Sequence, residues 1–346
     1  MTAGSMLPAG GVHQPVFDHL ERLTDDRGLF EHALLTVPRR EHGYCVDDAA
    51  RGLVVACREP EHGPGRRLAR RYLAFVLDAL NPVGACHNRM AADGQWRDEP
   101  EVGDWWGRAL WGLGVAAASA PTPGMRARAL SGFRLAAQCH SPHVRPMAFA
   151  ALGAEEVLRT RPDEIAALRL LTGTLAAIGE PADDDSLWPW PEERLSYANA
   201  SIAEALIVAG DALPDGPALS RGLSLLEFLL RTQTRDGHLS VTPVGGRGRD
   251  DEGPGYDQQP IEVSTLADAC GSAFRITHQS SWLTGVGLAW DWFGGDNDSA
   301  TPMFDPRTGG GYDGLERCGR NLNQGAESTL AMLATAQQAR LISELE

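Results

Sequence analysis

The sequence predicts an all-α fold in which six helical hairpins close into a ring, the (α/α)6 toroid or barrel. Twelve helical segments are predicted to begin near residues 14, 46, 65, 104, 124, 144, 162, 196, 217, 260, 280 and 324. Long connections rich in Gly, Pro, Asp and Trp enter most even-numbered segments, and short connections leave them. In a ring of hairpins this alternation places the long loops and the N-termini of six inner helices at one end. An irregular helical bundle is the alternative.

The segments differ in composition in the way such a ring requires. Even-numbered segments such as 104–119, 260–276 and 326–341 combine helical periodicity with many Ala and Gly residues, which let helix backbones approach closely. Odd-numbered segments such as 65–80 and 217–233 carry a charged side and are predicted to form an outer ring facing water. Alternating strand patterns are nearly absent, and the sequence leaves room for short strands only inside the loops 81–103 and 234–259, for example around 238–241. We expect one domain over residues 1–346, with residues 1–12 as a flexible N-terminus.

Composition excludes several functional classes. The 46 acidic and 31 basic residues give a net charge of -15, which repels nucleic acids and anionic lipid surfaces. No apolar run is long enough for a membrane span and no signal sequence is evident, so a cytoplasmic protein is predicted. The six cysteines lack metal-ligand spacing and are expected to be reduced and buried. No glycine-rich phosphate loop follows a strand, and we predict neither a cofactor nor a metal.

Adjacent carboxylates open the second segment. Asp47 and Asp48 stand at its start and Arg51 follows one turn later. One of the two aspartates is expected to cap the helix, because Asp is a preferred capping residue. Capping needs one side chain, so the other is available to bind a sugar hydroxyl, pair with Arg51 or act on a substrate.

Tryptophans lie beside carboxylates in two of the long connections. Trp105 and Trp106 follow Asp104, and Trp188 and Trp190 precede a Tyr-Ala-Asn sequence. Aromatic rings stack on the apolar faces of sugars while carboxylates and Arg bind the hydroxyls, so this pattern favours a carbohydrate cleft over packing of the loops.

Carboxylates also fall in the first turns of two later segments, where the helix dipole favours them whether or not they react. Glycosidic bond cleavage needs one carboxylic acid to protonate the leaving oxygen and one carboxylate to activate water or attack the anomeric carbon. The candidate catalytic residues are Asp48, Asp104, Glu262 and Glu327. The candidate substrate-binding residues are His42, Tyr44, Asp47, Arg51, His87, Asn88, Trp105, Trp106, Arg108, Trp188, Trp190, Tyr197, Asn199, Gln259, Asp313, Asn323 and Gln324.

At these motifs the chain resembles bacterial (α/α)6-barrel carbohydrate-active proteins, in particular a glycoside-hydrolase-like group found beside or fused to glycosyltransferases. The resemblance rests on HGYCVDDAAR (42–51), GRALW (107–111), QPIE (259–262) and NLNQGAES (321–328). It implies a sugar-active toroid, an oligosaccharide or glycan substrate, a functional association with a glycosyltransferase, and cleavage with inversion. Ala198 replaces an acidic residue that is common in the group, and Trp105-Trp106 replace smaller residues, so a subsite is expected to differ.

The sequence therefore predicts a glycosidase and leaves alternatives open. A sugar epimerase or isomerase on the same toroid would need histidine bases, for which His42, His87, His140 and His143 are candidates. A noncatalytic glycan-binding partner of a glycosyltransferase would use the tryptophans for binding and the carboxylates only as hydrogen-bond acceptors. Gly245 to Asp250 is interpreted as a mobile segment that could cover the cleft.

Overall fold

The structure is a computed structural model that describes residues 15–59, 63, 65–179 and 188–343. The expected flexible segment 1–12 lies outside the described residues. Among those described, twelve helices are present, and each begins within four residues of its predicted start. The helices are α1 (Asp18–Arg22), α2 (Val46–Cys57), α3 (Gly65–Asp78), α4 (Asp104–Ser119), α5 (Pro123–Ala136), α6 (Val144–Thr160), α7 (Ile165–Ile178), α8 (Ala200–Ala212), α9 (Gly216–Thr232), α10 (Pro260–Thr277), α11 (Ser281–Gly294) and α12 (Ala326–Ser343).

Six antiparallel two-residue ribbons lie in the connections. They pair β1 (Ala33–Leu34) with β2 (Val37–Pro38), β3 (Tyr44–Cys45) with β4 (Arg89–Met90), β5 (Arg194–Leu195) with β8 (Arg247–Gly248), β6 (Thr234–Arg235) with β7 (His238–Leu239), β9 (Phe304–Asp305) with β10 (Gly310–Gly311), and β11 (Leu315–Glu316) with β12 (Gly319–Arg320). A 3-10 turn occupies Arg40–His42. Of the two loops in which the sequence left room for strands, 81–103 contains β4, and 234–259 contains β6, β7 and β8.

Long and short connections alternate as predicted. Residues 23–45, 79–103, 179–199, 233–259 and 295–325 separate hairpins, whereas 58–64, 120–122, 161–164, 213–215 and 278–280 join the two helices of a hairpin. Residues 137–143, between α5 and α6, form the short exception that was expected. Helix starts follow local chemistry: Pro123 and Pro260 occupy first-turn positions where a missing N–H costs nothing.

The chain divides into two compact units. The N-terminal unit consists of Leu20–Gly179 and Val208–Leu219, and the C-terminal unit consists of the described residues of Met1–His19, Glu180–Ile207 and Ser220–Glu346. In the N-terminal unit α2, α4 and α6 pack side by side, with α3, α5 and α7 packed against them. In the C-terminal unit α10 packs against both α11 and α12. The single-domain organisation stays a prediction.

Close helix packing in the N-terminal unit depends on glycine. A Cβ atom at Gly114 of α4 would lie 2.1 Å from the carbonyl oxygen of Gly153 in α6, and one at Gly153 would lie 2.2 Å from the carbonyl oxygen of Leu110. Neither backbone could keep its place with a larger side chain. The glycines of α4 and α6 therefore allow the close approach of helix backbones that the sequence predicted for the even-numbered helices.

The six cysteines are all free thiols, and four of them, Cys45, Cys57, Cys86 and Cys270, are buried. Cys139 is partly exposed and Cys318 is exposed. The prediction that the cysteines are buried is therefore confirmed for four of the six and wrong for these two. None of the helices in the described part of the chain has the length and apolar character needed to cross a bilayer.

Candidate functional site

The start of α2 in the N-terminal unit is held by a side chain from another loop. Pairing of β3 with β4 brings Asn88 next to this helix end. The Asn88 Oδ1 atom accepts hydrogen bonds from the N–H groups of Val46 (3.1 Å) and Asp47 (3.4 Å), and its Nδ2 donates to Asp47 Oδ2 at 3.1 Å. The prediction that Asp47 or Asp48 caps α2 was wrong, because both lie inside its first turn and Asn88 supplies the capping oxygen. Both carboxylates are thereby released for other contacts.

Asp47 and Asp104 approach the same guanidinium group. Arg108 Nη1 donates to Asp47 Oδ1 at 2.5 Å and lies 3.9 Å from Asp104 Oδ2. The Arg108 side chain is 7% exposed, that of Asp47 15% and that of Asp104 22%. The guanidinium also lies over the ring of Phe149, 4.6 Å from its centroid, a cation–π contact. The starts of α2 and α4 thus place two partly accessible carboxylates around one buried cation.

Electrostatics keep Asp47 ionised. Burial raises the pKa of this carboxyl group, but the charges of Arg108 and Arg51 and the hydrogen bonds from Arg108 and Asn88 outweigh it, so the pKa lies below its usual value. A carboxylate in this state can accept hydrogen bonds from hydroxyl groups. It is poorly suited to be a general acid near neutral pH.

Asp48 is more deeply buried than Asp47 and has a different ion-pair partner, Arg51. Its Oδ1 pairs with Arg51 at 3.0 Å, and its Oδ2 accepts a hydrogen bond from the Cys45 thiol at 3.1 Å. Glu31, Cys45 and Asp48 offer ligand atoms within 4.8 Å of one another. Guanidinium groups already engage both carboxylates, Arg51 with Asp48 and Arg89 with Glu31, and burial raises the pKa of the Cys45 thiol well above its ordinary value. These residues therefore fit an ionic hydrogen-bond network better than a metal site.

The two adjacent tryptophans of α4 differ in exposure. Trp105 is half-buried and its indole N–H donates to Cys86 O at 2.6 Å. Trp106 is fully buried and donates to Ala136 O at 3.2 Å. Adjacent residues of a helix point in different directions, and the second ring of this pair points into the core. Trp106 is therefore a core residue whose ring offers no exposed face to a sugar.

Other predicted residues of this unit lie in its loops. His42 is exposed and its ring meets that of His32 edge-on. Tyr44 is buried and donates to Asp25 Oδ2 at 2.8 Å; burial, followed by the Asp25 contact, raises its pKa to about 12. His87 stacks on Trp96, with ring centroids 5.1 Å apart, and its Nδ1 donates to the carbonyl oxygen of Asp98 at 2.7 Å.

In the C-terminal unit, Glu262 links the start of α10 to the segment that precedes α8. Its Oε2 accepts hydrogen bonds from Asn199 Nδ2 (2.8 Å) and from the N–H group of Asn199 (3.4 Å), and its Oε1 accepts from the N–H group of Ala198. Glu262 is 4% exposed and Asn199 is fully buried. Ala198 adopts a positive φ of 46°, which aims its N–H group at the carboxylate. Glu262 therefore holds the segment before α8 in place against the start of α10.

The start of α12 is organised by Asp313. Its Oδ1 accepts hydrogen bonds from the N–H group of Gly325 at 2.7 Å and from Ser328 Oγ at 2.5 Å. Glu327 lies in the first turn of α12 and is partly exposed. Asn323 is also partly exposed, whereas Gln324 is buried and its carbonyl oxygen accepts a hydrogen bond from His19 Nε2 at 2.8 Å. Glu327 is thus the more accessible of the two glutamates predicted to be catalytic.

The aromatic residues of this unit also differ in accessibility. Trp190 is 4% exposed and stacks on Phe228, with 6.5 Å between ring centroids. Trp188 is half-buried and meets Phe228 edge-on at 5.3 Å. Tyr197 is 40% exposed. Gln259 precedes α10 as its N-cap residue, without a capping side-chain hydrogen bond.

Two acidic residues that hold the N-terminal unit's site in place, Asp98 and Glu31, were not predicted from the sequence. Asp98 accepts hydrogen bonds from the N–H groups of Asn88 (2.6 Å) and Arg89 (3.0 Å), which fixes the loop that caps α2. Glu31 pairs with Arg89 and approaches Cys45 and Asp48. Asp98 lies ten residues from Asn88, and no local pattern marks such a contact. The only available signal was an excess of acidic residues in long loops.

Comparisons with solved structures identify the fold. A sugar epimerase from a ruminal bacterium matches with a TM-score of 0.72 and 12% sequence identity, covering 95% of this chain and 97% of its own. The cellobiose 2-epimerase of Bacillus thermoamylovorans matches with a TM-score of 0.69 and 12% identity, covering 95% and 96%. A GH76 α-mannanase of Bacteroides thetaiotaomicron matches with a TM-score of 0.62 and 10% identity, covering 94% and 93%. No protein-family model matches the chain, and no curated protein matches it.

The predicted fold class is confirmed: the chain is helix-rich and has the (α/α)6-barrel fold of these neighbours. The neighbours are carbohydrate-active enzymes of two kinds, epimerases or isomerases and glycoside hydrolases. At these levels of identity the likeness establishes the fold and leaves the reaction to be argued from the residues.

Proposed function

We propose that this protein is a glycoside hydrolase that cleaves an oligosaccharide or glycan by carboxylate general acid/base catalysis, with inversion at the anomeric carbon. The sugar-processing enzymes that share its fold support a carbohydrate substrate. Inversion follows from the resemblance to barrels that cleave glycosides in this way. A cytoplasmic location and a functional association with a glycosyltransferase belong to the same proposal.

The arrangement of Asp47, Arg108 and Asp104 carries this proposal. Arg108 is neutralised mainly by Asp47, at 2.5 Å, because Asp104 lies 3.9 Å away. Asp104 is also the more exposed of the two carboxylates. We assign Asp104 as a reacting carboxylate, and Asp47, Asn88 and Arg108 as polar groups that bind sugar hydroxyls. A hydrolase needs such a carboxylate within reach of its substrate.

The remaining catalytic candidates differ in how far their side chains are buried. Asp48 is bound to Arg51 and Cys45, and Glu262 accepts three N–H hydrogen bonds, so both have positioning roles. Glu327 is partly exposed in the first turn of α12. We therefore propose Glu327 as the candidate of the C-terminal unit, to be tested independently of Asp104.

Epimerisation or isomerisation of a sugar is the second candidate, favoured by the likeness to a sugar epimerase and to a D-mannose isomerase. Such a reaction would require a base such as histidine. His143 is the exposed N-cap residue of α6, and His87 is partly exposed, with Nδ1 committed to a backbone carbonyl. Conversion of a free monosaccharide that is lost in His143→Gln or His87→Gln would establish this reading.

A panel of α- and β-linked oligosaccharides, incubated with the protein with and without phosphate and separated by chromatography, tests the proposed function. Cleavage without phosphate supports a hydrolase, and proton NMR of the first-formed anomer tests inversion. Cleavage that needs phosphate would replace the hydrolase with a phosphorylase. Interconversion of free sugars would favour the epimerase, and binding without turnover would favour a glycan-binding partner of a glycosyltransferase.

A further inference from the structure

A cavity of about 290 Å³ lies within the C-terminal unit, beside the end of α9, the β6–β7 ribbon and β8. Its lining includes two aromatic rings, three arginines and one carboxylate: Trp188, Phe228, Arg235, Arg247, Arg249 and Asp251. Its volume lies at the small end of the range for ligand pockets and suits one sugar ring better than an oligosaccharide.

Arg247 is built into the wall of this cavity. The residue is 8% exposed, and pairing of β8 with β5 fixes its backbone. Its Nη1 donates to the carbonyl oxygen of Thr232 at 2.8 Å, and its Nη2 donates to that of Gly253 at 3.5 Å. The guanidinium is thus oriented by backbone carbonyl groups, which carry no negative charge to neutralise it. This arrangement holds a positive charge rigidly at the cavity.

The surrounding charges act on Arg247 in both directions. Burial and the like charge of Arg235 lower the pKa of Arg247, while Asp298 and Asp251 act in the opposite direction. Asp251 is already occupied, since its Oδ2 accepts from the Gly248 N–H at 2.7 Å and pairs with Arg194 at 2.8 Å. Three arginines and one engaged carboxylate therefore line this cavity, in a chain whose net charge is -15.

Aromatic rings form another part of the lining. Trp188 and Phe228 meet edge-on, with 5.3 Å between ring centroids, and the Trp188 indole N–H donates to Glu192 O at 2.9 Å. The indole ring is therefore held in place before any ligand binds. Aromatic surface beside guanidinium groups suits a ligand that has both an apolar face and a negative charge.

We propose that this cavity binds a sugar ring bearing an anionic group, either a carboxylate or a phosphate, with Arg235 and Arg247 binding the anion and Trp188 contacting the ring. The proposal concerns binding and does not depend on glycosidic cleavage. A second part of the proposal is that the glycan substrate contains an acidic sugar unit. This part rests on the proposed function.

Isothermal titration of the full chain with glucuronate, glucose 6-phosphate and glucose tests the proposal. Binding of glucuronate or glucose 6-phosphate should be at least about tenfold tighter than binding of glucose, because a charge-assisted hydrogen bond is lost in the neutral sugar. The better of the two acids identifies the anionic group. Equal binding of glucose, or no binding of either acid at millimolar concentration, would overturn the proposal.

Variants locate the binding to this cavity. Arg247→Gln and Arg235→Gln should each weaken binding of the anionic sugar by about tenfold. Because Arg247 is buried and its variant could unfold, Arg235, whose side chain is 47% exposed, provides the independent variant. Arg307→Gln is the matched control, since Arg307 is 86% exposed, lies in the same unit and does not line the cavity. Unchanged affinity in Arg235→Gln would contradict the assignment.

The two proposals can fail separately. Asp104→Asn protein that no longer cleaves glycan and still binds the anionic sugar would leave this inference standing. Protein that cleaves only neutral glycans and binds no sugar acid would overturn this inference and keep the hydrolase.

Discussion

Arg108 Nη1 and Asp47 Oδ1 lie 2.5 Å apart, and this ion pair joins the second turn of α4 to the first turn of α2. The pair is nearly enclosed, because the side chains are 7% and 15% exposed. A buried ion pair contributes little net stability by itself, but removal of one partner leaves an uncompensated charge. This pair therefore anchors the Arg108 guanidinium, which lies 3.9 Å from Asp104 Oδ2, to the start of α2.

Asp47→Asn is expected to lower the free energy of unfolding by about 3 kcal/mol at neutral pH, because Arg108 loses its nearest anion. The destabilisation caused by Asp47→Asn should become smaller at low pH. The pKa of Asp47 is lower in the folded protein than the unfolded value near 3.8, so its contribution is complete above that value. This stabilisation by Asp47 is lost as the pH falls below that value and through the pKa that Asp47 has in the folded protein. Urea unfolding of wild type and variant between pH 7 and pH 3 measures both effects.

Asp93→Asn is the control for that series. Asp93 pairs with Arg97 at 2.6 Å, but both side chains are more than half exposed, and such surface pairs contribute little. Its variant should unfold within about 0.5 kcal/mol of wild type. A difference between wild type and Asp47→Asn that stays constant down to pH 3 would show that the charge of Asp47 is not what stabilises this helix junction.

Glu262→Gln is expected to destabilise the fold by roughly 1–3 kcal/mol, because an amide has one oxygen where the carboxylate uses two, and an N–H donor is left unpaired. Glu327→Gln, at a partly exposed position, should leave the melting temperature unchanged. Differential scanning calorimetry of both variants makes the comparison. A Glu262→Gln protein with wild-type stability and no turnover would instead place Glu262 among the reacting groups.

Trp106→Ala and Tyr197→Ala should separate packing from sugar contact. Trp106 is fully buried, and its truncation is expected to cost roughly 3–5 kcal/mol of stability. Tyr197 is 40% exposed, so its truncation should change stability by less than about 0.5 kcal/mol while raising KM for the glycan. Thermal unfolding and steady-state kinetics measure the two effects. If Tyr197→Ala leaves KM unaltered, this ring does not contact the substrate.

Much of the fold could be predicted because its signals are local. Pro260 marks the first turn of α10, Asp104 begins α4, and the glycines of α4 and α6 indicate close helix packing. Helix existence follows from such periodicity, whereas helix length also depends on tertiary contacts. The first helix, for example, was predicted to begin near residue 14 and covers Asp18–Arg22.

The candidate site was less predictable because its geometry depends on long-range contacts. Asn88 replaces the expected aspartate as the cap of α2 only because β3 and β4 pair across more than forty residues. Arg247 lies in a segment interpreted as mobile, and pairing of β8 with β5 makes it part of a cavity wall. Trp105 and Trp106 are adjacent residues of the same type, and which side of α4 faces the core decides which of the two rings is buried.

The most direct test of the central claim is the initial rate of glycan cleavage by Asp104→Asn, measured chromatographically on the best substrate of the panel. Asp78→Asn is the matched control, because Asp78 is an exposed aspartate at the end of α3 in the same unit. Asp104→Asn should lose at least about a hundredfold in rate while keeping the wild-type melting temperature, as expected when a general acid or base is removed. Wild-type rates in a folded Asp104→Asn protein would contradict the account.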